Sequence, residues 1–384
     1  MRYDLIVLGS DLPGRKAAEE AARQGRLVAM VDPAVSESIS VADHAWRIPF
    51  PTIRRQLFDA LCFVPRDLTI ERASTEYRRV DPGDAYRAAP RGRTDAVVWG
   101  LRKRIADLMR AERLAATTRM RELGVDILIG EARFENPHEI ELVGPGGRTY
   151  LTADEFVIAT GTTVRRSCGF DFRSACVTDA DEILAIDRVP DSTFVIGGSS
   201  TGMDVALAMQ LLGSRVVLVD GLDQLPELPA GQRKQRALFD RLGGEARTGM
   251  DVIAVTSRNE RTAQVTFADG TTAETERVIC CVGRIGKTAR LNLSAAGVGA
   301  DERGRLWCNS FGQTWMPHIF AAGTLMRDST LRPHSSAHAT FEFPPISHAL
   351  RVDNADWDQT VARLEQNFGR RNATERSETA LAGR

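Results

Sequence analysis

The sequence is short of several things. Lysine is nearly absent: of 50 basic residues only Lys16, Lys103, Lys234 and Lys287 are lysine, the rest being arginine. Basic and acidic residues balance at 50 and 51, so the chain lacks the positive excess of a general nucleic-acid binder. Six cysteines in 384 residues make no disulfide framework. No CxxC or HExxH spacing occurs, and no metal site is expected. No run reaches the roughly 18 apolar residues of a membrane helix, so no membrane partner is expected. Asp4 comes before any long apolar stretch; no secretory leader is expected, and the cytoplasm is the expected compartment. The remaining balance, 43% apolar and 26% charged, suits a globular chain with a sizeable core. Its 384 residues allow two or three domains of about 150 residues each.

What is present is a pattern that occurs twice. Tyr3–Leu8 is an apolar run ended by Gly9, followed by the loop Gly9–Gly14 and an alanine-rich helical stretch, Arg15–Gln24. Leu27–Val31 then reads as a buried strand ending at Asp32. Later, Phe194–Ile196 leads into Gly197–Gly202, a helix over Met203–Leu212 and a strand over Val216–Val219 ending at Asp220. Gly9 and Asp32 are 23 positions apart, and so are Gly197 and Asp220. Strand, glycine turn, helix and strand make a βαβ unit, so a parallel α/β sheet is expected twice. Between the units the sequence predicts a long helix over Asp95–Leu123, a strand over Val125–Ile129 and a hairpin from His138 to Leu151. Further strands are expected over Asp251–Ser257, Gln264–Phe267 and Arg277–Val282.

A glycine turn between strand and helix presents free N–H groups at a helix amino end, which attracts phosphate. In the dinucleotide fingerprint one glycine makes the turn, a second admits the pyrophosphate and a third packs helix on strand. An acid about 20 residues on binds the ribose. The first loop has Gly9 and Gly14 but Asp11 in the middle; the second has Gly197 and Gly202 with Ser199 there. Ser199 is a mild change. Asp11 places bulk and negative charge where a pyrophosphate would sit, and Arg15 and Lys16 can offset only the charge. Asp220, followed by Gly221-Leu222-Asp223-Gln224 without a cation, favours NAD over NADP.

Further stretches fall into the same order. Ile158-Ala159-Thr160-Gly161, Val177–Leu184, Gly283-Arg284-Ile285-Gly286-Lys287-Thr288, and Thr314, Pro317 and Ile319–Thr324 follow at matching intervals. With them the chain, from Met1 to about Met326, resembles the FAD/NAD(P)-dependent flavoprotein disulfide reductase family. Its soluble (Si-specific) pyridine nucleotide transhydrogenase branch is the most similar. The resemblance implies an α/β fold of two Rossmann-like, three-layer dinucleotide-binding domains, the second inserted in the first. Residues 1–163 and 286–350 would form the FAD-binding-like domain and 164–285 the NAD(P)-binding domain. Beyond the resemblance, Trp357, Val361, Leu364 and Phe368 recur at helical spacing, so residues 351–384 are expected to form a C-terminal helix and a frayed tail. Gly9, Ser10, Gly14 and Asp32 match FAD-binding positions, with Thr160, Gly161, Gly283, Arg284, Gly323 and Thr324. Gly197, Ser199, Gly202 and Asp220 match those for the nicotinamide nucleotide.

The departures are equally informative. No cysteine lies between Pro33 and Trp46, where family reductases carry a redox pair, so reductase-type disulfide chemistry is not expected. Ile48-Pro49-Phe50-Pro51 resembles an Ile-Pro-Ser-Lys motif whose lysine sits beside the flavin's reactive nitrogen; Pro51 stands in its place. Thr324 replaces the aspartate that holds the ribityl chain. Asp204 replaces a glutamate one methylene longer and is the one candidate for a catalytic role. The family's C-terminal dimerisation domain is expected to be lacking, with its His-Glu pair; Phe341–Ser347 resembles its first strand only briefly. Flavin-side positions are thus altered at Asp11, Pro51 and Thr324, whereas nicotinamide-side changes are conservative.

Two functions satisfy these residues. One is an oxidoreductase passing hydride between a nicotinamide nucleotide and flavin, as a transhydrogenase does but without a redox disulfide, to a small-molecule or protein acceptor. The other is a non-catalytic NAD(H)-binding sensor or scaffold that has lost FAD. Other candidates read as ordinary structure. Cys280-Cys281 is expected in the core and His334 and His338 at polar positions. Trp46 and Trp99 read as core or rim, and the pairs Arg54-Arg55 and Arg370-Arg371 as solvated faces.

Overall fold

The computed structural model describes residues 1–32, 53–54, 57–58, 61, 93–225, 230–309 and 311–328. Expectations for Trp46, Pro51, Arg55, His334, His338, Phe341–Ser347, Trp357–Phe368 and Arg370-Arg371 lie outside these residues. The chain divides into two compact units. One draws on residues 1–43, 110–163 and 284–352, the other on 44–109, 164–283 and 353–384.

In the first unit β1 (Arg2–Leu8) runs parallel to β2 (Val28–Asp32), with α1 (Leu12–Arg23) between them. The carboxyl part of α2 (Arg93–Glu122) leads to β3 (Asp126–Ile129), which extends the sheet beyond β2. Then β4 (Glu131–Asn136), β5 (Glu139–Gly144) and β6 (Gly147–Ile158) form an antiparallel meander. The strand β6 also lies parallel to β1, Ile158 opposite Leu8, giving the order β3-β2-β1-β6-β5-β4.

The apolar run of β1 is continuous because both faces of the strand are covered. Leu5 and Val7 pack on Ala17, Ala18 and Ala21 of α1, whereas Ile6 and Leu8 pack on Phe134, Ile140 and Phe156. Alanines keep the helix close to the sheet. The helix begins at Leu12, three residues before the expected start. Pro13 sits in its first turn, where an amide hydrogen is not needed. The hairpin turn is tighter than expected, with Gly144 paired to Gly147, and β6 is twelve residues long. The strand expected to end at Leu151 runs on to Ile158, its outer half exposed and its inner half buried.

In the second unit five strands are parallel. They are β7 (Val177–Asp179), β8 (Ser192–Ile196), β9 (Arg215–Val219), β10 (Glu245–Arg247) and, after a meander, β14 (Arg277–Cys280), in the order β10-β9-β8-β14-β7. The meander is β11 (Val252–Asn259), β12 (Thr262–Phe267) and β13 (Thr272–Thr275). Among the described residues two helices follow strands of the parallel sheet, α3 (Ser200–Leu211) after β8 and α4 (Ala230–Arg241) after β9. Every residue of α3 from Gly202 to Leu211 is buried, as expected of a helix apolar nearly all round. Cys280 and Cys281 are buried free thiols. The chain then returns to the first unit, where β15 (Ile319–Ala321) pairs parallel with β6.

Candidate nucleotide-binding sites

In the first unit Gly9 lies at the end of β1 with φ +119°, and its N–H donates to the Val31 carbonyl. A Cβ on Gly9 would run into the Ala159 carbonyl, and one on Gly14 into the carbonyl of Gly9. The two glycines therefore let strand and helix meet at backbone distance, leaving a concave turn at the amino end of α1. Ser10 lies in this turn. Asp11 is the N-cap residue of α1, yet its side chain makes no cap hydrogen bond. The loss of hydration by surrounding protein pushes its carboxyl above the usual range, while Lys287 and Arg15 pull it down. Asp32 ends β2, with its carboxylate 3.4 Å from the guanidinium of Arg113.

Three of the stretches matched by sequence meet beside this turn. Gly161 has φ +69°. The Thr160 hydroxyl donates to the Lys287 carbonyl at 3.0 Å, and the Lys287 N–H donates to the Gly161 carbonyl at 3.0 Å. Arg284 donates to the Thr162 hydroxyl at 2.7 Å and to the Thr162 carbonyl at 2.9 Å. The Thr162 and Thr324 hydroxyls lie 3.3 Å apart, next to Gly323 at φ +71°. Residues far apart in the chain thus converge on one polar cluster. Thr162 is a member that sequence spacing does not single out; its only signal is its place directly after the Thr160-Gly161 turn.

The second unit repeats the first turn. Gly197 has φ +106°, and a Cβ there would run into the Cys281 carbonyl; a Cβ on Gly202 would run into that of Gly197. Ser199 is the N-cap residue of α3, with its hydroxyl uncommitted to the cap. The Asp220 carboxylate accepts the Gly198 N–H at 2.5 Å on one oxygen and the Leu222 N–H at 2.9 Å on the other. Two further carboxylates lie close by. The Asp251 side chain fills the space beside Gly221, and that of Asp223 lies near Gly249. On the neighbouring strand the Arg247 guanidinium is engaged by Glu245 at 2.7 Å. Gly283 has φ +107° and accepts the Arg165 N–H on its carbonyl.

Asp204 lies in the second turn of α3 and is 2% exposed. Its partner corrects the sequence reading. Arg54, expected on a solvated face, lies with Nε 2.5 Å from Asp204 Oδ2, and its Nη2 donates to Oδ1 at 3.3 Å. Ile53, Leu57, Phe58 and Leu61 are helical and buried. Their spacing gives one apolar face that carries Arg54 inward. Burial pushes the Asp204 carboxyl up to about 6, although Arg54 and the Gln235 amide both favour its charged form. The missed signal was the apolar spacing around Arg54, which sets it apart from an ordinary arginine pair.

Residues 3–340 match the family model described as pyridine nucleotide-disulphide oxidoreductase. The chain belongs to that family. Its members use FAD together with a pyridine nucleotide, and the comparisons give no support to a loss of FAD. The chain is 30% identical over 331 residues to a soluble pyridine nucleotide transhydrogenase of Mycobacterium bovis, covering 84% of this chain and 66% of that protein. It is 28% identical over 345 residues to a dihydrolipoyl dehydrogenase of Thermus scotoductus, covering 86% of this chain and 67% of that one. It thus spans about two thirds of these relatives' length. Among solved structures, the HOCl-induced flavoprotein disulfide reductase RclA from Escherichia coli superposes with a TM-score of 0.64 at 16% identity, over 90% of this chain and 69% of that one. That likeness bears on the fold, two Rossmann-like dinucleotide-binding domains. Among the described residues no helix is long and apolar enough to cross a membrane.

Proposed function

We propose that this chain is an FAD- and pyridine-nucleotide-dependent oxidoreductase that passes hydride between a nicotinamide nucleotide and flavin, with NAD(H) preferred over NADP(H). The observation that carries the reading is the doubled glycine turn. In each unit a Cβ at the first or third glycine would collide with backbone. Such a turn at a helix amino end suits a pyrophosphate, and it occurs in both units. We assign residues 1–163 and 286–350 to the flavin side and 164–285 to the nicotinamide side, with 44–109 clustering in the same compact unit as the latter.

On the nicotinamide side the free N–H groups at the start of α3 hold the pyrophosphate, with the Ser199 hydroxyl as a further donor. Each Asp220 oxygen already accepts one backbone N–H and keeps a lone pair for a ribose hydroxyl. Asp223 and Asp251 make the surroundings negative, and Arg247 is turned to Glu245. A 2′-phosphate would meet repulsion there. On the flavin side Ser10 and the amino end of α1 face the dinucleotide, Asp32 takes the ribose, and Thr324 with Arg284 and Thr162 offers hydrogen bonds in place of a charged aspartate. FAD, when bound, supplies the reversible two-electron chemistry. Asp11 is the unfavourable position, since its carboxylate would lie beside the dinucleotide's phosphates, with Lys287 and Arg15 close enough to offset part of the charge.

The purified protein tests this through its visible spectrum and its nucleotide titrations. Near-stoichiometric flavin absorbance, with bleaching on addition of NADH, supports the oxidoreductase. A colourless protein that refuses added FAD yet binds NADH supports a nucleotide-binding scaffold instead. Tighter binding of NADPH than of NADH overturns the assignment of Asp220.

A further inference from the structure

The first unit holds an N-cap acid that does not cap its helix. An aspartate at that position ordinarily accepts an N–H of the helix's first turn. Asp11 has the extended backbone of an N-cap, and its carbonyl accepts the Arg15 N–H at 2.9 Å, but its carboxylate makes no cap bond. It reaches across the turn instead. Oδ2 lies 3.3 Å from the place that a Cβ on Gly161 would take, just beyond the end of β6. The carboxylate therefore stands inside the turn formed by Gly9 and Gly14, and the residue is exposed, so a dinucleotide seated there would cover it. Three charged groups face it. Lys287, from the segment returning to the first unit, and Arg15, on α1, favour the carboxylate; Asp32, at the end of β2, opposes it. The Arg15 guanidinium is shared with Glu112 at 3.3 Å, and Asp32 is shared with Arg113. Lys287 is thus the chief counter-charge, its backbone fixed by Thr160 and Gly161.

We propose that flavin binding at the first turn is proton-linked: Asp11 takes up one proton from solvent when the dinucleotide fills the site, and affinity for FAD rises as pH falls. The inference rests on the function proposed above and adds a regulation of that site which the glycine turn alone does not imply. Two effects act in the same direction. A pyrophosphate beside the carboxylate is a like charge, and a like charge favours the protonated acid. Covering the carboxyl strips its remaining water, which favours the neutral form as well. The neutral acid is also the better neighbour, because it offers an O–H donor to a phosphate oxygen where the carboxylate can only accept. Before any ligand arrives, loss of hydration already holds the Asp11 carboxyl above its usual range, against the pull of Lys287 and Arg15. No bond of the cofactor forms or breaks in this step.

The test is equilibrium FAD binding to the whole chain stripped of flavin, followed by flavin fluorescence across a range of pH. Linkage to one proton changes affinity by up to about tenfold per pH unit, so wild type should bind FAD at least about tenfold more tightly near pH 5.5 than near pH 8. Calorimetry in two buffers of unlike ionisation enthalpy should record proton uptake on binding. The cofactor's pyrophosphate holds no proton in this range. Asp11→Asn keeps the shape without the charge; its affinity should vary by less than about threefold over the same range, with no proton uptake. Every histidine remains in that variant, which separates their titration from that of Asp11. Lys287→Met removes the chief counter-charge, so the pH dependence should move to higher pH; this covers the case in which Asp11→Asn does not fold. The proposal is overturned if wild-type affinity is flat with pH, if Asp11→Asn keeps the wild-type dependence, or if Lys287→Met leaves its midpoint in place. Refusal of FAD at every pH by both wild type and Asp11→Asn would overturn the functional reading itself, and this inference with it.

Discussion

The N–H of Gly198 donates to the Asp220 carboxylate at 2.5 Å, tying the glycine turn after β8 to the end of β9. One carboxylate thus shapes the loop and keeps a lone pair for ligand. Asp220→Ala removes an acceptor from Gly198 and Leu222 and should lower stability by about 1–3 kcal/mol. The same change should weaken NADH more than NADPH, narrowing the preference. Thermal melts with paired titrations check both; an unchanged ratio of affinities contradicts the ribose role.

Gly202→Ala places a methyl group against the Gly197 carbonyl. The helix must move off the strand, at a cost of about 1–3 kcal/mol. Denaturant unfolding of the variant should show a lower midpoint, and the turn should lose nucleotide affinity. A variant as stable as wild type would show that the turn has slack.

Asp11→Gly tests the obstruction at the first turn. Its removal takes a carboxylate and its bulk from the amino end of α1, near Arg15 and Lys287. FAD affinity, measured by quenching of flavin fluorescence in the stripped protein, should rise. Unchanged affinity would mean that the acid is accommodated beside the flavin nucleotide.

Asp204 titrates near 4 in an unfolded chain and at about 6 in the folded one. The folded state holds the proton more tightly, so its contribution is most favourable below about pH 4 and is lost as pH rises to about 6. Unfolding midpoints compared between pH 4 and 7 should fall for wild type relative to Asp204→Asn. Parallel profiles would refute the raised value.

Asp301 gives the opposite slope. Burial alone would raise its carboxyl, but hydrogen bonds from the Arg303 and Arg305 backbones and from the Arg305 and Arg327 side chains outweigh this and bring it to about 2. Its contribution is full above about pH 4 and disappears as pH falls through about 2. Asp301→Asn should therefore lower the thermal midpoint at pH 7 and leave a flatter acid limb. Calorimetric scans from pH 2 to 7 check it.

The βαβ turns were legible in the sequence because their requirements are local. Gly9 and Gly197 need a positive φ, and Gly14 and Gly202 need a missing Cβ; both are properties of one residue type at one position. Spacing to Asp32 and Asp220 follows from the length of a helix and a strand. Element ends were less legible. Pro13 reads as part of a loop until the helix is seen to begin before it, and β6 runs seven residues beyond the expected end of its hairpin at Leu151.

The amino-acid sequence by itself determined the family, the two βαβ units and the positions of both glycine turns, since backbone sterics and apolar periodicity act over short stretches of chain. Only the tertiary structure decided which polar groups meet. Thr162 joins Arg284 and Thr324, and Arg54 joins Asp204 across 150 positions. A buried charge must find its partner wherever packing brings one, and no local pattern records that choice. For Arg54 the outcome reversed the sequence reading, because the apolar face beside it draws the arginine inward and the buried carboxylate holds it there.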